Sequence, residues 1–225
     1  MNTDILTSPD DEGRHEDANT EWWYFNGHVK AEDGKRYAFM TSYSMSNIKY
    51  MVIVDITGQK HYAMVDNKHE VKYSKDKIDL KYGDNWWKQL EKPFTYEMHN
   101  QYGEIRLDLH LASLKPPLIL GEGRQGKVPM GKGGYSNWYA LTNLNIQGEL
   151  KLGNEKKLIK GKGWMDRQWG NWNWFGFGKW KWFSIQLDNT FWEGSCRVMG
   201  TMDGNSVSGS YYAELYHGKG LKNFY

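Results

Sequence analysis

Cysteine is nearly absent from this sequence. Among 225 residues only Cys196 carries a thiol. That excludes an internal disulfide and any zinc site built on clustered cysteines, and it fits a reducing compartment. Long apolar runs are missing as well. No segment approaches the roughly 20 residues that a helix needs to cross a bilayer. The N-terminal stretch MNTDILTSPDDEGRHEDANT has neither the basic nor the apolar part of a secretory signal. The expectation is a cytoplasmic protein by default, with no transmembrane segment; an exported form stays open. Nor does one sign of charge dominate: 29 basic residues against 27 acidic ones leave a formal net charge of +2. That balance argues against nucleic acid as a partner. Proline is scarce, and three of the five prolines fall in the Gly-rich stretch 115–134, KPPLILGEGRQGKVPMGKGG. The composition predicts a long flexible loop there.

What the chain has in excess is aromatic rings. It carries 12 Trp, 15 Tyr and 8 Phe, 16% of all residues, so its apolar character sits in rings rather than in Leu, Ile and Val. Rings supply large contact area with few rotors and a usable π face. The dominant periodicity is two. In EIRLDLHL, residues 104–111, Ile105, Leu107, Leu109 and Leu111 share one face, and Glu104, Arg106, Asp108 and His110 the other. The same rhythm runs through IDL (78–80), FTYEM (94–98), LNIQGEL (144–150) and WFSIQL (182–187). MVIVDI, residues 51–56, is almost continuously apolar and reads as a strand covered on both faces. Turn signals separate these segments: EDGK at 32–35, TGQK at 57–60, YGDN at 82–85, NQYGE at 100–104, LGNEK at 152–156 and MDGN at 202–205. No long window is helical. The pattern predicts an all-β, antiparallel sandwich or barrel.

Several chemistries lack their residues. Gly121, Gly123 and Gly126 match G-x-G-x-x-G, but Pro129 and further glycines follow, so no helix is available to hold a pyrophosphate. The seven histidines show no H-x-x-x-H or H-E-x-x-H spacing, and no G-x-S-x-G elbow is present. The sequence therefore predicts no metal and no cofactor.

Two stretches combine dense rings with a few charged groups: DEGRHEDANTEWWYFNGH at 11–28 and GKGWMDRQWGNWNW at 161–174. Alternation puts Trp22 and Tyr24 on one face of the first strand, with Trp23 and Phe25 on the other. The stretches HEDANTEWWYFNGHV, YSNWYALTNLNIQGEL, GKGWMDRQWG and KWFSIQLDN, from His15 to about Asn189, resemble the AttH and hydroxyneurosporene synthase family. That family includes carotenoid 1,2-hydratases and is related more distantly to fungal decalin-forming Diels–Alderases. The resemblance implies a pair of lipocalin-like β-barrels, with the two motifs around the cavity and the domain junction. It also implies an apolar polyene or polyketide as substrate. The expected organisation is an N-terminal lipocalin-like barrel over 1–175, with the flexible loop 115–134. Residues 176–225 follow as the start of a second, partial lipocalin-like β unit.

Hydrating an alkene requires an acid, an environment that tolerates a carbocation, and one held water. A carboxylic acid in an apolar pocket keeps its proton because desolvation disfavours the charged form, and indole faces attract cations. Asp166, among Trp164, Trp169, Trp172 and Trp174, suits the acid role. Glu21, beside Trp22 and Trp23, is the second candidate and His15 the third. Trp22, Trp23, Tyr24, Trp164, Arg167 and Trp169 are the expected substrate-binding residues. Competing structural roles are an Asp166–Arg167–Gln168 polar cluster fixing the junction, Glu21 as an acceptor of backbone or indole N–H groups, and His15 as a solvent-exposed residue. The expected partner is a hydrophobic small-molecule ligand. Its binding with acid-assisted hydration or cyclisation stands beside non-catalytic binding, and beside a surface module that stacks sugars on exposed rings.

Overall fold

The computed structural model describes residues 10–120, 126–130 and 133–173, and the backbone of short strands beyond Asn173. One 3-10 turn, Asp10–Glu12, precedes strand after strand. Their ranges are β1 Thr20–Ala31, β2 Arg36–Ser44, β3 Ile48–Asp55, β4 Lys60–Asp66, β5 Lys72–Tyr73, β6 Asp79–Tyr82 and β7 Asn85–Gln89. There follow β8 Thr95–Tyr102, β9 Ile105–Ser113, β10 Leu118–Ile119, β11 Lys127–Pro129, β12 Tyr135–Leu152 and β13 Glu155–Asn171. All pair antiparallel, in the order β4-β3-β2-β1-β13-β12-β9-β8-β7-β6-β5. After residue 178, Lys179–Trp180, Thr201–Met202 and Val207–Ser208 form one small sheet. Trp192–Val198, Tyr211–His217 and Gly220–Phe224 form another. The protein is thus all-β and nearly without helix. No helix among the described residues is long and apolar enough to cross a membrane.

Period-two sequence becomes alternating burial. Leu107, Leu109 and Leu111 are buried while Arg106, Asp108 and His110 are partly exposed. The turn signals fall where strands reverse, and Gly83, Gly103 and Gly153 take positive φ angles of 57°, 57° and 60° at three hairpin tips. Strand β3 departs from expectation: Met51 and Ile53 are buried, but Val52 and Val54 are only half-buried. It lies beside the edge strand β4, so one face stays open, as antiparallel sheets allow. The stretch 115–134 also departs from a plain loop. Strands β10 and β11 pair with residues 135–140 of β12, supplying partners for its backbone above a bulge at Leu141/Leu144. Residues 121–125, 131–132, WFSIQL and most of the MDGN turn lie outside the described residues.

The sheet curls into a half-barrel. Strands β4 and β5 end it without bonding to each other, yet side chains of β2 and β3 reach those of β6, β7 and β8. Aromatic edges close the interior: Tyr43 packs on Trp87 at 4.6 Å and on Tyr82 at 5.9 Å, and Phe25 on Trp87 at 4.9 Å. The Asn100 carbonyl oxygen accepts bonds from Tyr43 Oη (3.1 Å), Trp87 Nε1 (3.1 Å) and Thr41 Oγ1 (3.4 Å). Beside it the buried Lys49 ammonium donates to Asn85 Oδ1 (2.5 Å) and the Gln101 carbonyl (3.2 Å). Burial lowers the Lys49 pKa to about 8. Two arms of one sheet are therefore stitched by side chains where no backbone ladder joins them.

Replacing Asn100 with Ala strands several buried donors at once. The expected loss is about 2–4 kcal/mol, read as a lower midpoint in urea unfolding with an unchanged m-value.

Candidate functional site

Strand pairing brings the two aromatic motifs together. In the β1–β13 register Glu21 stands opposite Trp169, Trp22 opposite Gln168, Trp23 opposite Arg167 and Tyr24 opposite Asp166. Opposed residues share a face, so alternation divides the motif pair in two. Glu21, Trp23, Arg167 and Trp169 point into the barrel; Trp22, Tyr24, Trp164 and Asp166 lie on its outside. Residues 163–170 are buried on both faces. The expected single ring-lined site is therefore two sites, back to back across one strand.

The inner site is built on charge. Arg167 is fully buried, with its guanidinium 4.3 Å from the Trp23 ring and 5.1 Å from that of Trp169. It donates to Glu21 Oε1, to the Gly13 carbonyl, and to the carbonyls of Glu12 (3.3 Å) and Trp22 (3.3 Å). Arg14 pairs with the other oxygen of Glu21, and His15 Nδ1 lies 2.9 Å from Oε1. The His15 ring stacks on Trp169 at 4.0 Å. Burial pushes the Glu21 carboxyl up, but Arg167, His15 and Arg14 outweigh it and hold the pKa below the usual range. That favours a fixed anion over a proton donor. His15 is lowered by burial and raised more strongly by Asp11 and Glu21, so its net shift is upward. Half-buried, it is not the solvent-exposed residue that a polar terminal segment suggests.

Glu12 completes this site, and no local pattern singles it out. It is fully buried, receives the Tyr96 hydroxyl, and offers its backbone carbonyl to Trp23 Nε1 (3.2 Å) as well as to Arg167. Burial raises its pKa to about 7 against the opposing pull of Tyr96, Arg167 and Tyr139. Together these contacts clamp residues 12–15 inside the barrel end. At Gly13 an added Cβ would meet the Lys75 carbonyl at 2.0 Å, so only a bare backbone fits.

The outer site is built on rings. Asp166 is 3% exposed, and its Oδ1 accepts the indole N–H groups of Trp138 and Trp164, each at 3.0 Å. Trp138, Trp164 and Trp172 are buried with Leu120, Val128 and Met130, and Trp22 packs edge-on to Trp172 at 5.4 Å. Gln168 Nε2 bonds Ser136 Oγ at 3.2 Å. Trp22 and Tyr24 remain half-buried on the rim. Arg167 does not pair with Asp166, because successive strand residues point to opposite faces. Trp169 stacks inside rather than around Asp166, and Trp174 lies outside the described residues. Trp138 takes a place in the ring that spacing alone could not assign, since it comes from β12 through the Ala140–Asp166 register. No cluster of three or more His, Cys, Asp or Glu side chains suited to a metal ion occurs among the described residues.

The AttH-like family model matches residues 2–191. Several crystal structures share the fold. An AttH protein from Nitrosomonas europaea superposes with a TM-score of 0.80 at 21% identity, over 98% of this chain and 72% of its own. Kievitone hydratase from Nectria haematococca gives 0.74 at 15% identity, over 97% of this chain and 68% of its own. CghA gives 0.55 at 15% identity, over 95% and 66%. At such identities the likeness concerns the fold. A search of curated protein sequences finds no match.

Two outcomes follow from the inner clamp. Replacing Arg167 with Met leaves Glu21 short of its main counter-charge, and about 3–5 kcal/mol of stability is lost. Trypsin then cuts after Arg14 at native conditions. The second concerns pH. Glu12 has a raised folded pKa, so its contribution is complete below its unfolded value of 4.5 and is lost as pH rises through about 7. His15, also raised, adds a loss above 6.5. Glu21, held low, loses its contribution only as pH falls below 4.5. The thermal midpoint should therefore decline from about pH 5 to about pH 8. Glu12→Gln should flatten the larger part of that decline, measured by calorimetry.

Proposed function

This chain belongs to the AttH-like family, and on that premise we propose that it binds an apolar unsaturated small molecule of isoprenoid, carotenoid or polyketide type. The binding surface is the rim of the outer face of the β1–β13 pair, where Trp22 and Tyr24 are half-buried beside the Asp166 cluster, and the reaction is acid-assisted hydration or cyclisation. The observation that carries this reading is Asp166: a carboxyl group 3% exposed, oriented by two indole N–H groups and surrounded by rings. Fixing one oxygen fixes the plane of the carboxyl, and proton transfer to carbon demands such orientation.

In the forward step Asp166, as the acid, gives its proton to one carbon of a double bond. The π electrons form the new C–H bond, and positive charge develops on the more substituted carbon. The faces of Trp22 and its neighbours stabilise that charge by about 2 kcal/mol or more when water is excluded. Water adds to the cation and returns a proton to the Asp166 carboxylate, so one water is gained overall. In cyclisation a second double bond of the same molecule attacks the cation in place of water, and the new cation loses a proton to the Asp166 carboxylate, giving an isomer. Kievitone hydratase, among the structural relatives, is a hydratase by name, which supports the hydration branch. Glu21, His15 and Arg167 act as positioning residues: they hold the inner ends of both motif strands and do not touch the substrate. Trp23 and Trp169 belong with them. The domain boundary near residue 175 and a second β unit after it form part of this proposal.

A second reading keeps the surface and drops the chemistry. In it the Asp166 carboxyl, with Oδ1 engaged by two indole donors, orients the rings of a carrier and transfers no proton. The two readings separate in one experiment. The protein is titrated with a panel of polyenes and isoprenoids while tryptophan fluorescence is followed, and the products are analysed by mass spectrometry. A product heavier by one water, or an isomer, appears with the native chain. Asp166→Asn should bind within a few-fold and lose turnover by at least about a hundredfold. Normal turnover by that variant rejects the acid assignment, and quenching without product across the panel selects the carrier.

A further inference from the structure

The outside of the large sheet carries a concavity away from the motif pair. A groove of about 1020 Å³ crosses β7, β8, β9, β12, β13 and β1 at right angles to the strands. Its lining residue on β13 nearest the motif, Lys160, lies six positions from Asp166, about 20 Å along an extended strand. On five strands the lining residues follow one pattern. A middle residue sends its side chain into the core, as Met98, Leu109, Ile159 and Ala31 do, or has none, as at Gly148. The floor is therefore backbone and Cα hydrogens. The residues on either side of each middle one stand up as two walls.

The walls differ chemically. Cross-strand register lines up Lys30, Lys160, Gln147 and His110 along one of them, with Glu97 beside His110 at its far end. Along the other, Glu32, Glu149 and Asp108 supply acceptors, with Leu158 between them and Trp86 at the end. The acceptors are held in place: Arg106 bonds both Asp108 (2.7 Å) and Glu149, and His99 Nδ1 lies 2.5 Å from Asp108. Lys30 stands directly opposite Lys160, an arrangement of like charges that weakens a sheet. Leu158 is 61% exposed at the rim.

We propose that this groove binds a neutral, extended β-linked oligosaccharide laid across the strands, one sugar unit to each strand. Such a chain is a ribbon with C–H groups on its flat faces and hydroxyl groups along both edges. The faces suit the backbone floor. The hydroxyls of one edge accept from the Lys30, Lys160 and Gln147 wall, and those of the other donate to Glu149 and Asp108. Neighbouring strands lie about 4.8 Å apart, close to the length of one pyranose unit, so the polar groups of successive strands meet successive sugars. A hydrocarbon in the groove would desolvate both rows of polar groups without bonding them. A polyanion would meet the acidic wall. The groove shares no residue with the Asp166 face, so the two proposals stand or fall separately.

The test is calorimetric titration of the full chain with cellohexaose, xylohexaose and mannohexaose, and with the matching disaccharides. At least one hexasaccharide is expected to bind at least about tenfold more tightly than its disaccharide, since a short chain reaches fewer of the paired side chains. Gln147→Ala removes an exposed amide with no part in the core, and should weaken that binding by roughly fivefold to tenfold without shifting the thermal midpoint. Asp166→Asn should leave it unchanged. The proposal is overturned by the absence of heat with every saccharide at millimolar concentration, by equal affinity in Gln147→Ala, or by loss of binding in Asp166→Asn. It is also overturned if an extended peptide binds in preference and loses affinity in Gln147→Ala.

Discussion

A guanidinium buried inside a barrel must be matched by its surroundings before the barrel can close. Taking an unpaired charge out of water costs several kcal/mol, so the partners of Arg167 are a condition of the fold. They come from two directions. Glu21 is brought across by the β1–β13 register, and the carbonyls of Glu12 and Gly13 by the segment ahead of β1. That segment cannot stay in solvent while Arg167 is enclosed. The rings of Trp23 and Trp169 add a sleeve around the charge, and His15 stacks on the outer member of that sleeve. The N-terminal motif thus works as a clasp whose catch is on a strand more than a hundred residues later.

This clasp sets the geometry on the other side of the same strand. With Arg167 fixed inward, its neighbours Asp166 and Gln168 must face outward, where Trp138, Trp164 and Ser136 receive them. A strand buried on both faces is common in parallel sheets and unusual in a curled antiparallel one. Here it couples a rigid ionic core to an aromatic surface. Preorganised groups on regular strands are held more closely than groups on loops, and Asp166 gains that rigidity from the clasp behind it.

The barrel interior is packed with rings. Tyr43, Tyr82, Tyr96, Trp87 and Phe25 fill the inside of the half-barrel and bond or pack on one another. Ring edges meet ring faces and Asn100 collects their polar tips, so these residues form core. Both proposed recognition surfaces lie on the outside of the sheet. There the side chains of one face differ along its length: indoles around one carboxyl at one end of β13, alternating rows of charge at the other.

Much of this was legible in the chain itself. Period-two patterning and hairpin turns determined an all-β antiparallel protein, and the alternation of EWWYF determined that Trp22 and Tyr24 part company with Trp23 and Phe25. The pair EWWYF and GWMDRQWG pointed to the family. What local pattern could not carry was anything that depends on which strands are neighbours. The opposition of Trp23 to Arg167 and of Tyr24 to Asp166, the arrival of Trp138 from β12, and the burial of Glu12 under Tyr96 all follow from register between distant segments. The short strands inside the Gly- and Pro-rich stretch, and the half-open face of β3, follow from where the sheet needed partners or had none. The sequence by itself determined which face each side chain takes, because the strand period is local. Only the tertiary structure decided what each face meets, because burial, charge pairing and pKa depend on contacts made across the sheet.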